Sequence, residues 1–264
     1  MRPLAEAPVE RLRRVSLVLT DMDDTLTHRG RLSAATYAAL ERLEAAGIPV
    51  IPVTAAPAGW CDQMARMWPV AGVIGENGGL HVQRQGVGGA AHRFWHGNGR
   101  AAVLARLRAL ADEVIAGIPG IALAPDQPFR LTGVAFERPA DPVRRGWLLD
   151  SLRAAGADVT VNSLWVLAWS GGYDKLSASR RFLAAAHGVD IDARREEILY
   201  VGDSANDAPM FAFFPNSVGV STVTEHLADL PMAPAWITRG PGGQGFVEAA
   251  DAVLAARLHT AERV

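Results

Sequence analysis

The spacing of apolar residues along this chain changes twice. Val15 to Thr20 (VSLVLT) is a nearly continuous apolar run bounded by polar turn residues, the pattern of a strand buried on both faces. Ser33 then reads as a helix N-cap, with Leu40, Leu43 and Ala46 at helical spacing up to Gly47 as the terminator. Ile48 to Val53 is the next strand, Gly59 to Trp68 a helix and Ala71 to Ile74 a third strand. Strand, helix, strand, helix, strand predicts right-handed parallel crossovers in a doubly wound sheet.

Near Gly86 the rhythm breaks. GVGGA reads as a flexible stretch, followed by a short strand at Arg93 to Trp95, a helix over Ala101 to Ala116 and a strand over Leu131 to Glu137. Asp141 caps a helix over Pro142 to Ala155, with proline in its first turn. Strands follow at Val159 to Val161 and Leu164 to Trp169, and Gly171 and Gly172 mark a return hinge. Alternation then resumes: helix Leu176 to His187, strand Ile198 to Val201, helix Ala208 to Phe213, strands Val218 to Val220 and Ala235 to Thr238, and a closing helix Gly245 to Leu258. The expected fold class is α/β. A Rossmann-like core over residues 1–83 and 169–264 carries an α+β insert over residues 84–168.

Composition adds little beyond a soluble globular chain. Of the 264 residues, 49% are hydrophobic and 20% charged, so a real core is expected. The net charge is −2 with acids and bases interspersed, unlike the basic face of a nucleic-acid binder. The lone cysteine, Cys61, allows no intrachain disulfide and fits a reducing compartment. The N-terminal apolar run is too short for a signal peptide and ends in carboxylates, and no run is long enough to span a membrane. A cytoplasmic enzyme with no nucleic-acid or membrane partner is expected.

The candidate chemistry follows the strands. DMDDT, residues 21–25, comes straight after the first buried strand, and in an open parallel sheet ligands bind outside the carboxyl ends of the strands. Asp21 and Asp23 would repel unless they shared a cation, and oxygen ligands of this kind suit magnesium. Taken alone the string also reads as a charged turn with a cap. Thr54 ends the second strand, where its hydroxyl could donate to an oxyanion or simply cap the next helix. Lys175 opens the helix after the insert, where a cation opposes the helix dipole unless an anionic site or open solvent compensates. GDSAND, residues 202–207, follows another buried strand and adds Asp203, Asn206 and Asp207 to the same edge. Separate structural explanations would have to coincide at every cluster.

In these motifs the chain resembles the haloacid dehalogenase superfamily of phosphotransferases. DMDDT, Thr54, Lys175 and GDSAND carry the resemblance. The insert between Thr54 and Lys175 is similar in layout to the second type of cap, found in Cof-like and sucrose-phosphatase-like sugar phosphatases; GENGG at 75–79 and GGYDK at 171–175 fit that branch. The resemblance implies a magnesium-dependent phosphatase that hydrolyses a small phosphorylated metabolite, expected to be a sugar phosphate, through an aspartyl-phosphate intermediate. It assigns Asp21 as nucleophile, Asp23 as general acid and base, and Asp21, the Asp23 carbonyl, Asp203 and Asp207 to the metal. Thr54, Asn206 and Lys175 hold the phosphate, Lys175 offsetting its charge.

One departure stands out. Relatives often follow the threonine with glycine and arginine, whereas here Thr54 is followed by Ala55 and Ala56, leaving Arg66, Arg100 or Arg130 to supply that cation. Substrate contacts are expected from Asn77 and, on closure of the insert about Gly86 to Gly89 and Gly171 to Gly172, from His96 and Trp165. Most tryptophans of an insert this small read as its own core. A phosphosugar mutase is the alternative enzyme, and a non-catalytic metabolite-binding module the alternative of another class.

Overall fold

A computed structural model describes residues 1–162 and 164–258. The apolar runs form one parallel sheet. Its spatial order is β1 (Arg2–Pro3), β14 (Trp236–Ile237), β13 (Asn216–Gly219), β12 (Ile198–Gly202), β2 (Leu17–Thr20) and β5 (Val50–Pro52), every pairing parallel. Alternation within a strand divides the core. In β12, Leu199 and Val201 join α2 (Ala34–Ala45), α3 (Ala58–Met67) and α8 (Gly242–Leu258) on one face. Ile198 and Tyr200 join α6 (Lys175–His187) and α7 (Ala208–Phe213) on the other. Both faces are covered, which is why these strands read as near-continuous apolar runs.

The predicted caps are present. Ser33 Oγ accepts from Thr36 N at 3.1 Å, and Asp141 Oδ1 accepts from Val143 N at 3.0 Å at the start of α5 (Pro142–Ala154). Gly47 terminates the first of these helices with φ +69°, a left-handed turn that glycine adopts freely. Short elements near the N-terminus escaped the sequence pattern, among them β1, α1 (Val9–Arg13) and a small hairpin of β3 (Thr27–His28) and β4 (Arg31–Leu32).

Two stretches differ from expectation. β6 (Val73–Gly75) touches the parallel sheet through one bridge, Ile74 to Val53, and otherwise starts an antiparallel sheet with β7 (Leu80–Gln85) and β8 (Gly89–Phe94). Segment 84–94, expected within the insert, forms this hairpin with Gly86 and Gly88 in its turn, and Ala90 and Phe94 pack on the first core cluster. The second difference lies at residues 131–137, where only β9 (Val134–Glu137) is strand. The N–H groups of Leu131, Thr132 and Gly133 donate instead to the carboxylate of Glu76, so no ladder forms there.

The insert is a three-stranded antiparallel sheet, β10 (Asp158–Val161), β11 (Trp165–Trp169) and β9, with α4 (Arg100–Gly117) and α5 on one face. Val134, Phe136, Val166 and Ala168 pack under those helices. Ala135, Leu167 and Trp169 turn the other way, onto Ala55 of the core and Tyr173 of the return crossing. Among the described residues no helix is long and apolar enough to cross a membrane.

Candidate active site

β2 and β12 are neighbours, and the strand order reverses between them, the switch point at which ligands bind in such sheets. Asp21 follows β2 and Asp203 follows β12, and the Asp21 N–H donates to Val201 O at 2.8 Å. On the other flank Val53 N donates to Thr20 O at 2.7 Å, which sets Thr54 one strand away from Asp21. Register alone therefore delivers three of the predicted clusters to one edge.

Lys175, at the first position of α6, supplies the fourth. Its Nζ donates to Asp21 Oδ1 at 2.8 Å and to Asp207 Oδ1 at 2.6 Å, and all three side chains are buried. Burial alone would lower its pKa, but Asp207 and Asp21 more than offset that and hold it above the ordinary lysine value. Asp207 Oδ2 accepts from the backbone N–H groups of Asp203 and Ser204 at 2.9 and 3.1 Å, and Thr25 Oγ1 donates to Asp203 Oδ1 at 2.9 Å. Gly202 is required here, because a Cβ at that position would run into the Asp207 carboxylate.

The electrostatics are those of a site short of positive charge. One oxygen from each of Asp21, Asp203 and Asp207 lies within 4.8 Å of the others. Desolvation pushes the Asp21 carboxyl up to about 7; Lys175 pulls it back, and Asp207 and Asp23 add to the rise. Asp203 lies well above the ordinary carboxylate range, from burial first and then from the charges of Asp21 and Asp207. Three buried carboxylates facing one ammonium fit a hard divalent cation, which would let all of them ionise. Asp23 rises to about 6, again chiefly by desolvation, with Asp24 raising it further and Lys175 and Arg130 lowering it.

Of the three arginines, Arg130 alone comes near this edge. It is buried, forks onto Asp126 at 2.7 and 3.1 Å and donates from Nη1 to Ala55 O at 3.0 Å. Arg66 pairs with Asp62 on the surface, and Arg100 stacks 4.5 Å over the Phe94 ring.

A cavity of ≈ 190 Å³ opens beside Lys175 and Asn206. Asn77, Thr160, Trp169 and Asp174 also line it. Asn77 is held at φ +57°, and its buried Oδ1 has no protein partner among the described residues. His96 and Trp165 do not line the cavity. His96 Nε2 lies 2.6 Å from Ser170 O with its ring against Tyr173, and Trp165 packs on the Ala135 and Leu167 face of the insert. Thr160 and Trp169 take the positions expected of them.

Tyr200 escaped the sequence reading altogether. Its hydroxyl donates to Asp207 Oδ1, and burial followed by the Asp207 and Asp21 charges holds it well above the ordinary phenol value. A polar-tipped residue inside the apolar run ILYV, two positions before Gly202, was the available signal.

No family model matches the sequence. A phosphoglycolate phosphatase of Pyrobaculum neutrophilum is 30% identical over 256 residues, covering 90% of this chain and 95% of that protein. Among solved structures, a Thermoplasma acidophilum protein superposes with a TM-score of 0.73 at 19% identity, over 91% of this chain and 98% of its own. The sucrose-phosphatase of Synechocystis, solved with sucrose and phosphate, gives 0.65 at 14% identity over 91% and 98%. At these identities the solved structures speak for the fold alone.

Proposed function

The chain belongs to the haloacid dehalogenase superfamily, and we propose on that footing that it is a magnesium-dependent phosphatase in which Asp21 attacks the phosphorus of a small phosphate monoester. Its class is phosphoric monoester hydrolase. The observation that carries the mechanism is the Lys175 ammonium held between Asp21 and Asp207 at the switch point. A carboxylate approaching a phosphate dianion at about 4 Å meets about 8 kcal/mol of repulsion at an effective dielectric of about 20. Lys175 offsets part of it, and it leaves one oxygen of Asp21 unengaged by the ammonium.

Magnesium, held by Asp21, the Asp23 carbonyl and Asp203 with support from Asp207, would neutralise the phosphoryl oxygens and orient them. Asp21 forms the aspartyl phosphate. Asp23, with its carboxyl raised to about 6, retains a proton at mildly acidic pH and can give it to the leaving oxygen. Once ionised it can take a proton from the water that opens the intermediate. Thr54 and Asn206 orient phosphate oxygens. The unpartnered Asn77 Oδ1 offers an acceptor to a hydroxyl of the leaving group.

The cavity beside Lys175, lined by Asn77, Thr160 and Trp169, is where the sugar of a sugar phosphate would sit. A short acid is the second reading, favoured by the Pyrobaculum relative's activity on phosphoglycolate.

Hydrolysis of a small aryl phosphate should require magnesium, stop on chelation, return on readdition and need no sugar bisphosphate. Full turnover in chelator would overturn the metal assignment. Strict dependence on a bisphosphate would make the enzyme a mutase.

A further inference from the structure

Glu76 takes no part in the chemistry above, yet its buried carboxylate accepts five hydrogen bonds. Oε1 takes Ala58 N at 3.0 Å and Leu131 N at 2.8 Å. Oε2 takes Thr132 N at 2.8 Å, Thr132 Oγ1 at 2.6 Å and Gly133 N at 3.0 Å. All five are neutral donors. Four come from the segment leading into β9 of the insert, and the fifth opens α3 just beyond Thr54.

The backbone around Glu76 is shaped for this. Glu76 and Asn77 both lie in the left-handed region, at φ +48° and +57°, which non-glycine residues hold only under constraint. In that conformation Glu76 N donates to Ala56 O at 3.1 Å and Asn77 N to Thr54 O at 2.9 Å, so the same turn holds the loop that carries Thr54. The two glycines that follow allow close approach to the return crossing. A Cβ on Gly78 would overlap Ala178 in the second turn of α6, whose first residue is Lys175, and one on Gly79 would overlap Thr132 Oγ1. GENGG is thus the plate on which 131–133 and the start of α6 both rest. Arg130, donating to Ala55 O, adds a second tie between the insert and the Thr54 loop.

We propose that Glu76 is a positioning residue: its carboxylate is the socket for the N–H groups of 131–133, and it aligns the cavity-lining face of the insert over Asp21 and Lys175. The claim rests on the phosphatase reading for its catalytic consequence and on the hydrogen bonds alone for its mechanical one. Carboxylate is needed because each oxygen must only accept. Glutamine would place an NH₂ against either Leu131 N and Ala58 N or the Thr132 and Gly133 N–H groups, leaving buried donors facing a donor.

Amide hydrogen exchange without substrate reads the mechanical part. In Glu76→Gln, the amides of Leu131, Thr132 and Gly133 should exchange about a hundredfold faster while Leu19 and Val201 in the central sheet keep their protection. The ratio of kcat/KM for the preferred ester to that for a small aryl phosphate should fall about tenfold, because the aryl ester depends less on the insert. Thr132→Val, which removes one of the five donors, should move both readouts the same way by less, and it decides the matter should Glu76→Gln fail to fold. Unchanged exchange at 131–133 overturns the socket. Faster exchange with an unchanged ratio overturns the positioning role. A parent protein with no phosphatase activity would instead sink the functional reading and leave the exchange result standing.

Discussion

The two sides of the contact between core and insert are built on opposite plans. On the core side Asp21, Lys175, Asp207, Tyr200, Thr25 and Asp203 form a continuous chain of buried, mutually bonded polar groups at the strand ends. On the insert side the facing surface is Ala135, Leu167 and Trp169, with Thr160 reaching the cavity from β10. The core side can fix charge and geometry but has little with which to recognise an alcohol. The insert side has shape, one hydroxyl and a single cation, Arg130, which is already engaged with Asp126 and Ala55 O. On the proposed reading chemistry and choice are carried by different sheets, and each should be removable with limited damage to the other.

The sharpest break comes from the core side. Asp21→Asn removes the proposed nucleophile and hardly any volume, so kcat should fall by about a thousandfold or more for every ester alike, with the far-UV spectrum unchanged. Turnover within about tenfold of the parent would show that another group attacks phosphorus.

A second test uses the charge imbalance of the core side. The Asp21 carboxyl is raised from 3.8 in its free state to about 7 in the fold. A carboxyl raised on folding contributes stability that is fully present below pH 3.8 and is lost as pH rises through about 7. Metal-free protein should therefore lose on the order of a few kcal/mol from this group between acid and neutral pH, and magnesium should abolish the loss. Urea denaturation with chelator and with magnesium, from pH 4.5 to 8, reads the difference. A gap that does not widen with pH would mean the three carboxylates are not the metal site.

The smallest effect is expected on the insert side. Thr160→Leu should fill part of the cavity and lower kcat/KM for a sugar phosphate about tenfold relative to phosphoglycolate. His96→Ala should leave that ratio unchanged, because His96 is engaged with Ser170 O away from the cavity. Equal losses on both esters in Thr160→Leu would remove the insert from substrate choice.

The core was legible in the sequence because its information is local. VSLVLT and ILYV declare strands buried on both faces, and a parallel sheet then brings their carboxyl ends together without any further instruction. Asp21, Asp203 and Thr54 meet for that reason, and Lys175 betrayed itself as a cation where a helix dipole disfavours one. What tertiary structure alone decided was every contact made across the boundary with the insert. LHVQRQ alternates as a strand should, but its pairing with 89–94 depends on a hairpin whose glycines look like a linker. Leu131 to Gly133 have strand composition, and they leave the ladder only because Glu76, 55 residues earlier for Leu131, captures their N–H groups. Trp165 and Trp169 are alike as aromatic residues along the chain and share the face of β11 that turns toward the core, so position along that strand, set by how the sheet is laid down on the core, brings Trp169 and not Trp165 to the cavity. Alternation along a strand specifies that there are two faces; only the packing of α4 and α5 against one of them, and of Ala55 and Tyr173 against the other, decides which face turns toward the core.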